Sequence, residues 1–140
     1  MADLLMRAQI VVDADRHAVW RALTDPERIA EWMNATVTSI WTEDAEISWH
    51  GEWEGRSFAD HGRITTYLPE STLQMTRATA SDDPDARHTL SFDLSDGDGG
   101  GTRLVVTQDN NTDPEAMERS RRTWAAWLDR LAAVATSRRV

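Results

Sequence analysis

The sequence predicts an α+β fold, in which a curved antiparallel sheet of about seven strands wraps around a long C-terminal helix and two short helices follow the first strand. Three observations predict it. The block VWRALTDPERIAEWM, from Val19 to Met33, joins an amphipathic helix, a Pro-initiated turn and a second short helix ending in Trp32 and Met33. Between residues 35 and 108, runs of strand-forming residues alternate with turn signals rich in Gly, Pro, Ser and Asp. From Pro114 to Ser137 a single apolar stripe recurs at the helical period.

Each element follows from local pattern. Leu4 to Val12 reads as the first strand. Val19, Trp20 and Leu23 then share one helix face, while Arg16, His17 and Arg21 take the wet side. Asp25 is a natural N-cap, and Pro26 stands at the first helical position, where its missing N–H costs nothing. Ala35 to Glu43 reads as the second strand. Ala45 to Glu54 reads as the third, with Ile47, Trp49 and Trp53 alternating against Glu46, Ser48, His50, Glu52 and Glu54. Gly55-Arg56 turns the chain into Phe58 to Leu68, and Pro69-Glu70 turns it again into Thr72 to Thr79. SDDPD, Ser81 to Asp85, is a loop before a strand from Arg87 to Leu94. SDGDGGG, Ser95 to Gly101, is a hairpin connection before Thr102 to Gln108. Asp113 caps the last helix, with Pro114 in its first turn, and Met117, Trp124, Leu128, Leu131 and Ala135 form its stripe.

Composition narrows the classes of function. The 140 residues suffice for one domain, residues 1–140, with a core of its own. With no Cys, disulfides, thiol catalysis and thiolate metal sites drop out. The net charge of −9 opposes binding to nucleic acid or to an anionic membrane, both of which demand clustered cations. All 15 cations are Arg and they are scattered; Arg119, Arg121 and Arg122 read as a solvated helix face. Asp3 and Arg7 interrupt the N-terminal apolar run, so no secretory signal is expected, and the protein is expected to be cytoplasmic. No pair of His and carboxylates has metal-ligand spacing on one element, so neither a metal nor a cofactor is expected.

Alternation also assigns an inward face: Leu73, Met75 and Arg77, then His88, Leu90, Phe92 and Leu94, then Leu104, Val106 and Gln108. Registers chosen to align apolar neighbours place Met75 beside Leu90 beside Val106, and Arg77 beside His88 beside Gln108. Asp60 shares its face with Phe58 and Ile64 and falls near the same end. Polar groups on an apolar concave face orient ligands. The same four residues would also suit an internal ion-pair network at the open end of the sheet, and the pattern leaves both readings open. His17, His50 and His61 fall on wet faces.

IVVDADRHAVWRALTDPERIAEWM, GRITTYLPESTLQMT, GGGTRLVVTQ and WAAWLDRLAA occur in that order between Ile10 and Ala133. Together they resemble the SRPBCC superfamily, the helix-grip or birch-pollen-allergen-like fold. Within it they resemble the branch named for the C-terminal domain of the activator of the ninety-kilodalton heat-shock protein ATPase. The resemblance implies a cavity between helix and sheet, with Trp20 and Trp124 at core positions. The residues expected to line the cavity are Trp32, Trp49, Trp53, Phe58, Asp60, Met75, Arg77, His88, Leu90, Phe92, Val106, Gln108, Met117 and Trp124, with Trp32 a candidate lid.

Three classes of function follow. The first, favoured, is a protein that binds a small hydrophobic or amphipathic molecule in the cavity. The second is a cyclase- or dehydratase-like enzyme with His88 as acid–base and Arg77 stabilising an enolate or carboxylate. The third is a co-chaperone-like partner of a heat-shock ATPase. Catalysis asks for a base held by an orienting group, and His88 is the single candidate. Monomer and homodimer are both open.

Overall fold

The structure, a computed structural model, describes residues 4–79, 88–111 and 113–136. The loop expected at Ser81 to Asp85, the strand start expected at Arg87 and the helix end expected at Ser137 lie outside the described residues.

The chain opens with strand β1 (Leu4–Val12), followed by helices α1 (Arg16–Thr24) and α2 (Pro26–Met33). Asp15 caps α1 by accepting from the Ala18 N–H at 2.9 Å. Asp25 caps α2 by accepting from the Glu27 N–H at 3.1 Å, with Pro26 behind it as expected. Asn34 ends α2 in the left-handed region, φ 57°, a conformation its short amide side chain tolerates.

Six strands then run as a meander: β2 (Ala35–Ser39), β3 (Glu46–Trp53), β4 (Arg56–Leu68), β5 (Thr72–Thr79), β6 (His88–Asp96) and β7 (Thr102–Asn111). The last of them pairs with β1, giving a seven-stranded antiparallel sheet in the order β1-β7-β6-β5-β4-β3-β2. Helix α3 (Pro114–Thr136), capped by Asp113, which accepts from the Ala116 N–H at 2.7 Å, lies against the concave face. It buries Trp124, Trp127, Leu128, Leu131 and Ala135. Their spacing of three, four and seven is the amphipathic stripe that the sequence shows.

The second strand and the β6–β7 hairpin differ from expectation, and β7 runs on to Asn111 rather than ending at Gln108. The second strand stops at Ser39 rather than Glu43. Here the Ser39 hydroxyl accepts from the Trp41 N–H at 3.1 Å and Trp41 turns to φ 56°, so a local side-chain bond replaces the ladder.

The β6–β7 register also differs. Met75 pairs with Leu90 and Arg77 with His88, as expected, but Leu90 pairs with Gln108 and Phe92 with Val106. Gly97 donates to the Gly101 carbonyl at 2.9 Å, and Gly99 and Gly100 take φ values of 76° and 88°. This tight connection lengthens β6 to Asp96 and offsets the pairing by two residues. An offset of two leaves every side chain on its expected face.

Candidate functional site

Of the spaces between the sheet and the helices, two are walled by the expected residues; a third, of about 320 Å³, lies between β1 and α3 and is lined by Arg7, Gln9, Arg121 and Asp129 among others. The inner of the two is a void of about 20 Å³, walled by Leu23, Ile29, Trp32, Met33, Trp41, Ile47, Trp49, Leu73, Met75, Leu90 and Phe92. Its size is that of a water site, but its walls offer water almost nothing to bond. The outer one is a pocket of about 220 Å³ lined by Asp60, Arg77, Ala78, His88, Gln108, Ser120, Thr123, Trp124 and Trp127. A larger concavity, about 640 Å³, opens among Thr38, Ser48, His61, Arg63 and Thr76. By strand alternation those side chains belong mostly to the opposite, wet face, which lacks the aromatic walls of the outer pocket.

The expected residues divide between these places. Asp60, Arg77, His88, Gln108 and Trp124 surround the outer pocket. Trp49, Met75, Leu90 and Phe92 wall the inner void. So does Trp32, which stands in the core instead of over an opening: it is 1% exposed, and its Nε1 donates to the Ala22 carbonyl at 2.8 Å. Val106 is fully buried and lines neither space. Met117 packs half-buried on α3. Trp53 and Phe58 support the site from behind, with ring centroids 5.4 and 6.4 Å from that of Trp127.

Trp127, Ser120 and Thr123 were not among the expected residues. Trp127 follows Trp124 by three, and so continues the stripe; that signal was present in the sequence.

Asp60 and Arg77 form the electrostatic centre. Alternation turns both inward from β4 and β5, and Arg77 Nε donates to Asp60 Oδ2 at 2.7 Å, with Nη2 also on that oxygen. The side chains are 6% and 12% exposed, so water does little to screen the pair. The guanidinium carbon sits 5.0 Å from the Trp49 ring centroid and 5.9 Å from those of Phe58 and Trp127. This aromatic cage compensates part of the guanidinium's lost hydration. Two polar atoms here are buried without a hydrogen-bond partner among the described residues, Asp60 Oδ1 and Trp127 Nε1. Such groups carry a desolvation cost of roughly 1–3 kcal/mol each.

Two further contacts tie the rim together. Trp124 Nε1 donates to Gln108 Oε1 at 3.3 Å, and His88 Nδ1 lies 2.8 Å from the Asp109 carbonyl oxygen. The Arg cluster on α3 pairs along its own helix, Arg119 with Glu115 and Arg121 with Glu118. The Arg121 hydrogen bonds hold the Glu118 carboxyl below its usual range. His17, His50 and His61 are exposed. Among the described residues no group of three or more His, Asp or Glu side chains could hold a metal ion, and no helix is long and apolar enough to cross a membrane.

A family model described as Activator of Hsp90 ATPase homolog 1-like protein matches residues 13–136. Among solved structures, the chain is similar to ChR145 from Cytophaga hutchinsonii, with 32% identity over 90% of this chain and 89% of that one, at a TM-score of 0.76. It has the fold of DynU16, a protein of the dynemicin biosynthetic locus, at 22% identity and a TM-score of 0.77, covering 92% of this chain and 46% of that one. It also has the fold of CalU16 from Micromonospora echinospora, at 22% identity and a TM-score of 0.69, covering 96% and 74%. No curated protein matches the chain.

Proposed function

The chain belongs to the Activator of Hsp90 ATPase homolog 1-like family of the SRPBCC superfamily, and from that premise we propose that it is a single-domain cytoplasmic protein that binds a small hydrophobic or amphipathic molecule in the outer pocket. The observation that supports this reading is convergence. Asp60, Arg77, His88 and Gln108 come from four different strands to one pocket, whose far wall is Trp124 and Trp127 of α3. An apolar wall facing a few polar groups is the general constitution of a ligand site. The unpartnered Asp60 Oδ1 and Trp127 Nε1 add to it, since a ligand-free pocket bears a cost that a polar ligand can relieve.

The pocket is smaller than the roughly 300–1,000 Å³ of drug-sized sites, so the expected ligand is small, with room to extend toward the inner void if Trp49 and Phe92 adjust. The family name refers to an ATPase activator, but the molecular surface offers that reading less support. Among the described residues the exposed large apolar side chains are Leu5 and Val11 on β1, Ile40 beyond β2 and Leu68 at the end of β4. The net charge of −9 argues against a nucleic-acid partner.

The test is a panel of aliphatic, aromatic and polyketide-like compounds followed by melting temperature, on wild type and on Thr123→Phe, which fills the pocket from the helix side. A ligand that binds only the folded state raises the wild-type melting temperature by mass action. Loss of that rise in Thr123→Phe supports the reading. Equal responses in both proteins place the ligand elsewhere and overturn it.

A further inference from the structure

His88 brings to the pocket a chemistry that holding an apolar body does not use. It is partly buried at the pocket rim, and its Nδ1 stands 2.8 Å from the main-chain carbonyl oxygen of Asp109. A carbonyl oxygen only accepts, so Nδ1 carries the hydrogen in this contact. In the neutral ring the lone pair then belongs to Nε2, on the far edge of the imidazole. Asp109 holds the neighbouring residue as well, its Oδ1 accepting from the Thr89 N–H at 2.6 Å. One residue of β7 therefore pins two consecutive residues of β6, and the ring's tautomer and orientation are set before any ligand arrives.

The neighbours of His88 restrict what can approach Nε2. Arg77 and Asp60 are engaged with each other and neutral as a pair, which removes the incentive for a strongly charged head group. An ammonium would meet the Arg77 cation, and a carboxylate would meet Asp60. What the pocket offers a neutral molecule is two acceptors on the sheet side, the imidazole and the buried Asp60 Oδ1, and on the helix side the indoles of Trp124 and Trp127, whose planes stand 81° apart, so that a ring can face one and meet the edge of the other. The partner that matches an imidazole lone pair best is an acidic O–H, because hydrogen bonds strengthen as the donor becomes more acidic.

We propose, on the basis of the ligand-binding reading above, that the pocket selects a small planar aromatic molecule bearing an acidic hydroxyl. The phenol or enol O–H donates to His88 Nε2, and the ring lies against Trp124 and Trp127. Neutral apolar compounds of the same shape enter the same pocket and lack that bond.

The experiment compares 1-naphthol with 1-methoxynaphthalene, which has the same ring system and no donor, on wild type and on His88→Asn. The asparagine amide keeps an N–H near the position of Nδ1 for the Asp109 carbonyl and deletes Nε2. Affinities are read from Trp emission, and the His88 Nε2 nitrogen resonance is followed in the wild type. The expected result is that wild type binds the naphthol about tenfold more tightly, the factor that one net hydrogen bond supplies. The preference disappears in His88→Asn, and the Nε2 resonance moves with 1-naphthol alone. Equal affinities with an unmoved Nε2 resonance overturn the hydroxyl inference and leave the ligand-binding reading standing. If neither compound binds, the aromatic-hydroxyl inference falls, and the ligand-binding reading is decided by the compound panel above. Should His88→Asn fail to fold, the wild-type Nε2 resonance and affinity ratio decide the matter.

Discussion

Arg77 satisfies only one of the two carboxylate oxygens of Asp60: its Nε and Nη2 both address Oδ2, while Oδ1 is buried without a partner among the described residues. The pair is nine-tenths shielded from water and its cation lies among three aromatic rings. A pair in such a place is a poor net stabiliser but a costly thing to break, because removing one partner strands the other charge. Arg77→Met should therefore destabilise the protein by about 3–5 kcal/mol. The double variant Arg77→Met, Asp60→Leu should recover most of that loss. Urea unfolding of both variants checks this; a double variant no more stable than the single one would show that the pair does more than neutralise itself.

Trp124 ties three elements of the interior together. It is 2% exposed, with centroids 4.8 Å from Trp127, 5.5 Å from Phe92 and 6.3 Å from Trp32. These contacts join α3 to β6 and α2, so truncation leaves a cavity at the point where three elements meet. Trp124→Ala should cost about 3–5 kcal/mol, in the range of large aromatic deletions from cores. A near-neutral unfolding curve would contradict the placement of α3 on the sheet.

The fold was legible because it is made of two clean periods. Alternation assigned Met75, Leu90, Phe92 and Val106 to the buried face, and all four are buried. Alternation also turned Asp60, Arg77, His88 and Gln108 toward one end, where the structure gathers them around one pocket.

What alternation cannot carry is register across a glycine-rich turn, since nothing in Ser95 to Gly101 says how many residues the connection spends. The β6–β7 offset of two residues comes from there. Nor does a period reveal size. Trp32 matches a lid by position on a helix end, yet its indole N–H reaches the Ala22 carbonyl and the ring fills the core. The division of the expected cavity into a small void and an outer pocket depends on how the indoles of Trp32, Trp41, Trp49, Trp124 and Trp127 fill the space, which no pairwise spacing encodes.

On α3 the Arg121 hydrogen bonds lower the pKa of the Glu118 carboxyl, aided by the nearby charges of Arg121 and Arg122. A group whose pKa is lower in the folded than in the unfolded state binds fewer protons when folded. Its contribution is thus present above the unfolded value and lost as pH falls through the folded one. The pair is on the solvated face, so the effect is small and screened by salt. In a pH series at low salt, Glu118→Gln should lose stability relative to wild type near neutrality. The difference should vanish in acid; a gap that widened as pH fell would reverse the sign of the argument.

Gly62 governs the approach of β4 to β5 beside the site. A Cβ built there would fall 1.7 Å from the Thr76 carbonyl oxygen and 3.3 Å from the Arg77 Cα. The obstruction is main chain, so no rotamer change relieves it, and the strands must separate. Overpacking of this kind typically costs about 1–3 kcal/mol. Separation here also displaces the backbone that carries Arg77, one residue beyond Thr76, and with it the short contact to Asp60. Gly62→Ala should therefore lower the melting temperature and, at temperatures where the variant is still folded, shift the Arg77 Nε–H resonance toward its solvent-exposed position. Gly51→Ala provides the control, because its Cβ would meet the Asn34 carbonyl at 2.3 Å, away from the pair. That variant should lose stability while leaving the Arg77 resonance in place. If Gly62→Ala destabilises the protein and the resonance does not move, the close β4–β5 approach supports the sheet alone and does not set the position of Arg77.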